Sequence, residues 1–120
     1  MAERGGNGGL ERGWRLDGSD GEGNAIGLVV GETPLRRAYP GLSIGRHPKL
    51  CELVIDDPSV SRRHCRLSLS GEGLLIEDLN ALNGTVLDDR PLEPFAPEPA
   101  GEGSTLVLGR VSLRLTRLTD

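Results

Sequence analysis

Three short groups of residues stand out for the chemistry that their side chains can do. Gly45-Arg46 places a guanidinium after a short apolar run. Ser61-Arg62-Arg63-His64 sets a hydroxyl three positions before an imidazole, with two cations between them. Asp78-Leu79-Asn80-Ala81-Leu82-Asn83-Gly84-Thr85 carries an Asn-Gly pair, a turn signal in any β protein. Nucleophilic catalysis, metal ligation and anion binding are the chemistries open to such residues. Ser61 with His64 lacks the nucleophile elbow and oxyanion signature of a hydrolase, so the chain reads as a non-enzyme. His47, Cys51, His64 and Cys65 contain no Cys-x-x-Cys knuckle, and His64 and Cys65, adjacent on a strand, point to opposite faces. Neither a metal nor a cofactor is expected.

Anion binding has the charge distribution in its favour. The chain carries a net charge of −4. Yet residues 36–66 hold seven basic groups (Arg36, Arg37, Arg46, Lys49, Arg62, Arg63, Arg66) against Glu52, Asp56 and Asp57. That segment is +4 and the remainder −8. A basic zone on an acidic protein suits a local anionic ligand better than long nucleic acid, which the surrounding negative field repels. Aromatic residues are limited to Trp14, Tyr39 and Phe95, too few for base-stacking platforms. No nucleic-acid partner is therefore expected. Nor is a membrane, since apolar runs are far shorter than the roughly 20 residues of a spanning helix. No secretory signal opens the chain, which points to the cytoplasm. Two cysteines make no disulfide framework. Lys49 is the sole lysine among 14 basic residues; with the high Gly and Pro content, this Arg bias suggests the coding of a GC-rich bacterial genome.

The elements that must position these residues are short strands. Ile26 to Val30, Leu42 to Ile44, Leu53 to Ile55, Cys65 to Leu69, Leu74 to Ile76, Leu106 to Leu108 and Val111 to Leu115 are apolar runs separated by Gly, Pro and Asn-Gly breakers. Cys65-Arg66-Leu67-Ser68-Leu69 and Val111-Ser112-Leu113-Arg114-Leu115 alternate strictly, the period of a half-buried strand. Strands this short, at such spacing, predict an all-β sandwich or barrel with no long helix. Pro91 to Ser104 holds four of the eight prolines and is expected to be an exposed, semi-extended loop. Residues 1–24 contain eight of the 18 glycines and little apolar area to offset their ordering entropy. They are expected to form a disordered tail, with Trp14 solvated in it, ahead of one folded domain at 25–120.

Taken together, Gly45-Arg46, Ser61-x-x-His64, Asn83-Gly84-Thr85 and the later Leu106-Val107-Leu108-Gly109 resemble the forkhead-associated (FHA) domain. The resemblance spans Leu42 to about Leu118, with Ile26 to Val30 as a first strand. It implies a two-sheet β-sandwich of about 10–11 mostly antiparallel strands, and a module that reads phosphothreonine on partner proteins. A phosphothreonine carries about −1.5 to −2 charge and three acceptor oxygens at neutral pH. By the resemblance, Arg46 supplies the planar fork, Ser61 donates its hydroxyl, Arg62 adds a second basic contact and Asn83 clamps the peptide main chain. Gly45, His64, Gly84 and Thr85 serve as scaffold: Gly45 for close backbone packing, Gly84 for positive φ, His64 as a buried hydrogen-bonding brace. The implied partner is a phosphothreonine protein or peptide, a Ser/Thr kinase or its substrate.

One position departs from the family pattern. Before the Asn-Gly-Thr the family often has Ser or Thr, which helps shape the phosphothreonine pocket; here it is Leu82. Loss of one hydrogen bond to a charged group costs about 1.5–3 kcal/mol, or about ten- to hundredfold in affinity. Leu82 thus favours an alternative, a phosphate-independent interaction or assembly module on the same fold; Arg46, Ser61 and Asn83 weigh against it. The first 24 residues hold Ser19 and no threonine, so self-inhibition by a tail phosphothreonine is not expected. Nothing in the sequence specifies an oligomeric state.

Overall fold

A computed structural model of the chain describes residues 12–71 and 73–119. Among the described residues, eleven strands and one short helix run in the order β1 (Gly13–Ser19), β2 (Ala25–Gly31), α1 (Glu32–Arg37), β3 (Leu42–Gly45), β4 (Leu53–Val54), β5 (Cys65–Ser70), β6 (Gly73–Asp78), β7 (Thr85–Leu87), β8 (Arg90–Pro91), β9 (Glu98–Ala100), β10 (Thr105–Leu108) and β11 (Val111–Leu118). They form a five-stranded sheet, β9-β6-β5-β3-β4, and a six-stranded sheet, β2-β1-β11-β10-β7-β8. Every pairing between these described strands is antiparallel except β3 with β4. This is the expected β-sandwich, and each run read as a strand lies in one, except that Ile55 falls just beyond the two-residue β4.

Alternation explains the core. In β11, Val111, Leu113 and Leu115 are buried while Ser112 and Arg114 are exposed; in β5, Cys65 and Leu67 are buried. Leu16, Ile44, Leu67, Ile76, Leu106 and Leu108 are fully buried between the sheets. Each such side chain contributes about 1.5–3 kcal/mol of apolar burial. Gly31-Glu32-Thr33-Pro34 starts a helix because proline is tolerated in a first turn, where its missing N–H has no intrahelical acceptor. Leu35, 2% exposed, faces the core from that helix.

The expected tail at 1–24 is wrong over its C-terminal part. Gly13–Ser19 is a strand in the interior of the six-stranded sheet, paired with β11 on one side and β2 on the other. Trp14 is 3% exposed, not solvated. The reason is that Trp14-Arg15-Leu16-Asp17 alternates buried with exposed as β5 does, and the flanking glycines conceal the pattern. The part of the tail expectation covering residues 1–11 lies outside the described residues. Pro91 to Ser104 is also less loop-like than its composition implies. Its Glu98–Ala100 pairs with Ile76, Leu75 and Leu74 of β6, and as an edge strand it can hold Pro99 without breaking a ladder on both sides.

Candidate functional site: a loop rim that presents one arginine fork

The three motifs lie in loops that leave the same end of the sandwich. Gly45 ends β3, Cys65 opens β5 just after His64, Asp78 ends β6 and Thr85 opens β7. Antiparallel pairing of Ile44 with Cys65 and of Cys65 with Asp78 brings those strand ends side by side. Segments far apart in the chain thus form one rim.

Arg46 is tied to the second loop twice. Its backbone N–H donates to the Ser61 carbonyl at 3.0 Å, and its side-chain Nε–H donates to the Val60 carbonyl at 2.9 Å. Anchoring through Nε fixes the guanidinium plane and leaves both Nη groups, the prongs of the fork, directed to solvent from an exposed side chain. Gly45 permits this. A Cβ there stands 2.2 Å from the Arg62 carbonyl oxygen and 2.7 Å from Cys51 Sγ, distances that no side chain tolerates. Cys51 donates its thiol to the same Arg62 carbonyl at 2.9 Å, while the Arg62 side chain is exposed.

Ser61 Oγ accepts the backbone N–H of Leu82 at 3.0 Å. Its own hydroxyl hydrogen is therefore left to donate outward. The Leu82 side chain is 91% exposed, so position 82 joins the rim through its main chain rather than its side chain. Asn83 Nδ2 donates to the Ser59 carbonyl at 2.8 Å, which spends one amide hydrogen on the scaffold and leaves the amide oxygen and a second hydrogen for a ligand. Gly84 has φ of 72°, the positive value its turn requires.

His64 braces all of this from below. It is fully buried; its Nδ1 accepts the Ser61 N–H at 3.0 Å and its Nε2 donates to the Gly84 carbonyl at 2.7 Å. An acceptor at Nδ1 requires the neutral ring with hydrogen on Nε2. Burial pushes the imidazole pKa below the usual 6.5, a trend partly offset by the Gly84 hydrogen bond and the Asp78 charge. Thr85 is buried, with its hydroxyl donating to Asp78 Oδ1 at 2.6 Å.

Two positioning residues were missed by reading motifs alone. Asp78 is 2% exposed, takes the Thr85 hydroxyl on one carboxylate oxygen and the Asn80 N–H on the other, and so shapes the turn that carries Leu82 and Asn83. Ser59 is a junction: its carbonyl holds Asn83, and its Oγ takes the Arg110 N–H at 2.9 Å while donating to Asp57 Oδ1 at 2.6 Å. The Ser59 hydroxyl and backbone N–H, both donating to Asp57 Oδ1, hold that carboxyl below the usual carboxylate range. The Asp57-Pro58-Ser59 turn was the available signal, since Asp at the head of such a turn commonly binds the backbone two residues on. Among the described residues no cluster of His, Cys, Asp or Glu is arranged to hold a metal ion, and no helix is long and apolar enough to cross a membrane. Cys51 and Cys65 are both buried and free.

The rim can hold a compact multivalent anion: one fixed fork, one free hydroxyl and one amide, all on braced loops. Comparison with known proteins points the same way. The family model described as FHA domain matches residues 42–109, more than half of the chain. The Arabidopsis thaliana FHA domain-containing protein PS1 is 37% identical over 79 residues, 64% of this chain and 5% of that protein. The chain spans 5% to 34% of the length of the first curated relatives it matches. Among solved structures, the FHA domain of an Arabidopsis thaliana hypothetical protein superposes with a TM-score of 0.69 at 25% identity, covering 99% of this chain and 97% of the other. An FHA domain studied for phosphothreonine-dependent interactions superposes with a TM-score of 0.64 at 26% identity, covering 87% and 95%. With relatives in plants and mammals as well as mycobacteria, a bacterial source rests on coding bias alone.

Proposed function

The chain belongs to the FHA domain family, and from that premise we propose that its loop rim binds phosphothreonine on partner proteins, as a cytoplasmic reader in Ser/Thr kinase signalling. Arg46 takes two phosphate oxygens with its free Nη groups, as a planar fork matches two acceptors. Ser61 donates its hydroxyl to the third, and Arg62 adds a second positive charge beside it. Asn83 bonds the peptide main chain through the amide atoms that Ser59 leaves unused. The module binds and does not transform; no group in the rim is placed as nucleophile and base together.

The observation that carries this reading is the Nε anchor of Arg46 on a neutral carbonyl, which aims the fork outward with its charge uncompensated. A phosphothreonine-dependent neighbour at 26% identity supports it. The threonine methyl is worth about 0.8 kcal/mol of burial, about fourfold over serine. The partner is the phosphorylated protein itself, a kinase or its substrate.

One feature favours a second reading, phosphate-independent assembly: the 91% exposed Leu82 on the rim. An oriented library in phosphothreonine, phosphoserine and unphosphorylated forms, screened against wild type and Arg46→Ala, separates the two. The proposal expects binding that needs phosphate and Arg46. Equal capture of unphosphorylated peptide by both proteins overturns it in favour of assembly.

A further inference from the structure

A second concave site lies at the pole opposite the rim. β11 begins beside the rim at Val111, next to the Arg110 that bonds Ser59, and ends at Leu118. Eight residues at about 3.3 Å each put the two poles roughly 25 Å apart. There the mouth between the sheets opens as a cleft of about 260 Å³. Trp14, 3% exposed, and Leu69 are its apolar lining. Arg12, Arg36 and Arg117 are its cationic lining, and they come from three places: the residue before β1, helix α1 and β11. The Arg117 guanidinium stacks over the Trp14 ring, 5.5 Å from its centroid. Glu32 is the one carboxylate among the described lining residues; it pairs with Arg12 at 3.8 Å and with Arg36, and so holds both at the cleft. The described lining residues therefore sum to a formal charge of +2 on a chain of net charge −4.

We propose that this cleft is a second docking point, taking an acidic side chain flanked by an apolar one from a partner protein. The incoming carboxylate continues the alternation of charge that Glu32 begins, while Trp14 and Leu69 receive the apolar neighbour. The cleft is smaller than the roughly 300–1,000 Å³ of pockets that enclose drug-sized ligands, so it fits a pair of side chains and not a nucleotide. The site is independent of phosphate reading. Two contacts on opposite poles of one rigid sandwich let a partner already held at one gain affinity from the other through effective concentration.

Trp14 is the only tryptophan in the chain, so its indole N–H resonance reports the cleft directly. The full chain, 15N-labelled, is titrated at constant ionic strength with the capped peptide acetyl-Leu-Asp-Leu-amide, its Asn counterpart and inorganic phosphate. The expected result is a saturable shift with the Asp peptide at a dissociation constant of about 1 mM, the range of a one-anchor ligand. The Asn peptide, and the Asp peptide on Arg36→Ala, bind about tenfold more weakly. Arg36 is 63% exposed, so its truncation spares the core. No saturable shift, equal shifts from the Asp and Asn peptides, or phosphate binding as tightly as the Asp peptide overturns the proposal. Phosphothreonine-peptide affinity is measured on the same samples, so failure at one pole is distinguishable from failure at the other.

Discussion

Arginines stand at both poles of the sandwich, and they are held differently. Arg46 leans on the Val60 carbonyl, a neutral acceptor, while Arg12 and Arg36 lean on the Glu32 carboxylate. A neutral anchor orders the side chain and leaves its full charge for a ligand; a carboxylate anchor orders it and opposes the ligand's charge. The rim therefore suits a phosphate dianion, and the other pole a single carboxylate. Counting arginines along the chain does not separate the two; the group behind each guanidinium does.

The comparison breaks first at Arg46. Arg46→Ala removes two charge-assisted hydrogen bonds of about 1.5–3 kcal/mol each, so phosphothreonine-peptide binding falls by more than about hundredfold. Because the side chain is exposed, the fold survives, and the melting temperature falls only by what the lost hydrogen bond to the Val60 carbonyl contributes. Isothermal titration and thermal melting of the same sample check both, and Arg36→Ala run alongside leaves the phosphopeptide isotherm unchanged. A folded Arg46→Ala protein of wild-type affinity refutes the assignment of the fork.

His64→Ala acts on support rather than on ligand. It orphans the Ser61 N–H and the Gly84 carbonyl, each worth about 1–3 kcal/mol when buried without a partner. Stability in urea should fall by about 2–5 kcal/mol, with binding declining in parallel. An unaltered unfolding midpoint sinks the bracing role.

Leu82→Thr sharpens the comparison from the opposite direction. The backbone bond to Ser61 survives the change, and a hydroxyl is added at the rim. Affinity for phosphothreonine peptide should rise about tenfold with little change in stability, a gain read from titration of the variant. Phosphopeptide affinity equal to wild type shows that position 82 does not face the phosphate.

The smallest effect is a pH dependence. Burial holds the folded-state pKa of His64 below the usual 6.5, so the unfolded chain binds a proton first as pH falls. The stability this ring contributes is complete above pH 6.5 and is lost as pH falls through the folded-state value, by at most about 1.4 kcal/mol per unit. His64→Gln keeps a donor and an acceptor but has no such titration. The difference between the urea stabilities of wild type and His64→Gln therefore shrinks as pH falls from 6.5 towards the folded-state value; a difference constant with pH removes the argument.

Much of the molecule was legible before any coordinates. Alternation in Cys65 to Leu69 and in Val111 to Leu115 placed those strands and their inward faces, because a period of two is a local property of the pleat. The motif residues at 45–46, 61–64 and 83–85 marked the loops that converge. The strand at Gly13–Ser19 was hidden, since its glycines and charges read as a tail until Leu115 and Leu28 are seen flanking Leu16. Short β7 and edge strand β9 were hidden for a related reason: three residues are too few to establish a period, and the prolines beside β9 argue for a loop.

Residue types and their local spacing determined that this chain makes short strands, that its turns fall where they do, and that an arginine, a serine and an asparagine sit in separate turns. Only the tertiary structure decided what stands behind them: a carbonyl behind Arg46, Ser59 behind Asn83, Asp78 beneath Thr85, and a tryptophan sealed under the far pole. The Ser59–Asn83 and Ser61–Leu82 bonds join residues 24 and 21 positions apart. Bonds of that reach follow from the order in which strands pair, and strand order is settled by closing one shared core rather than by any neighbouring residue.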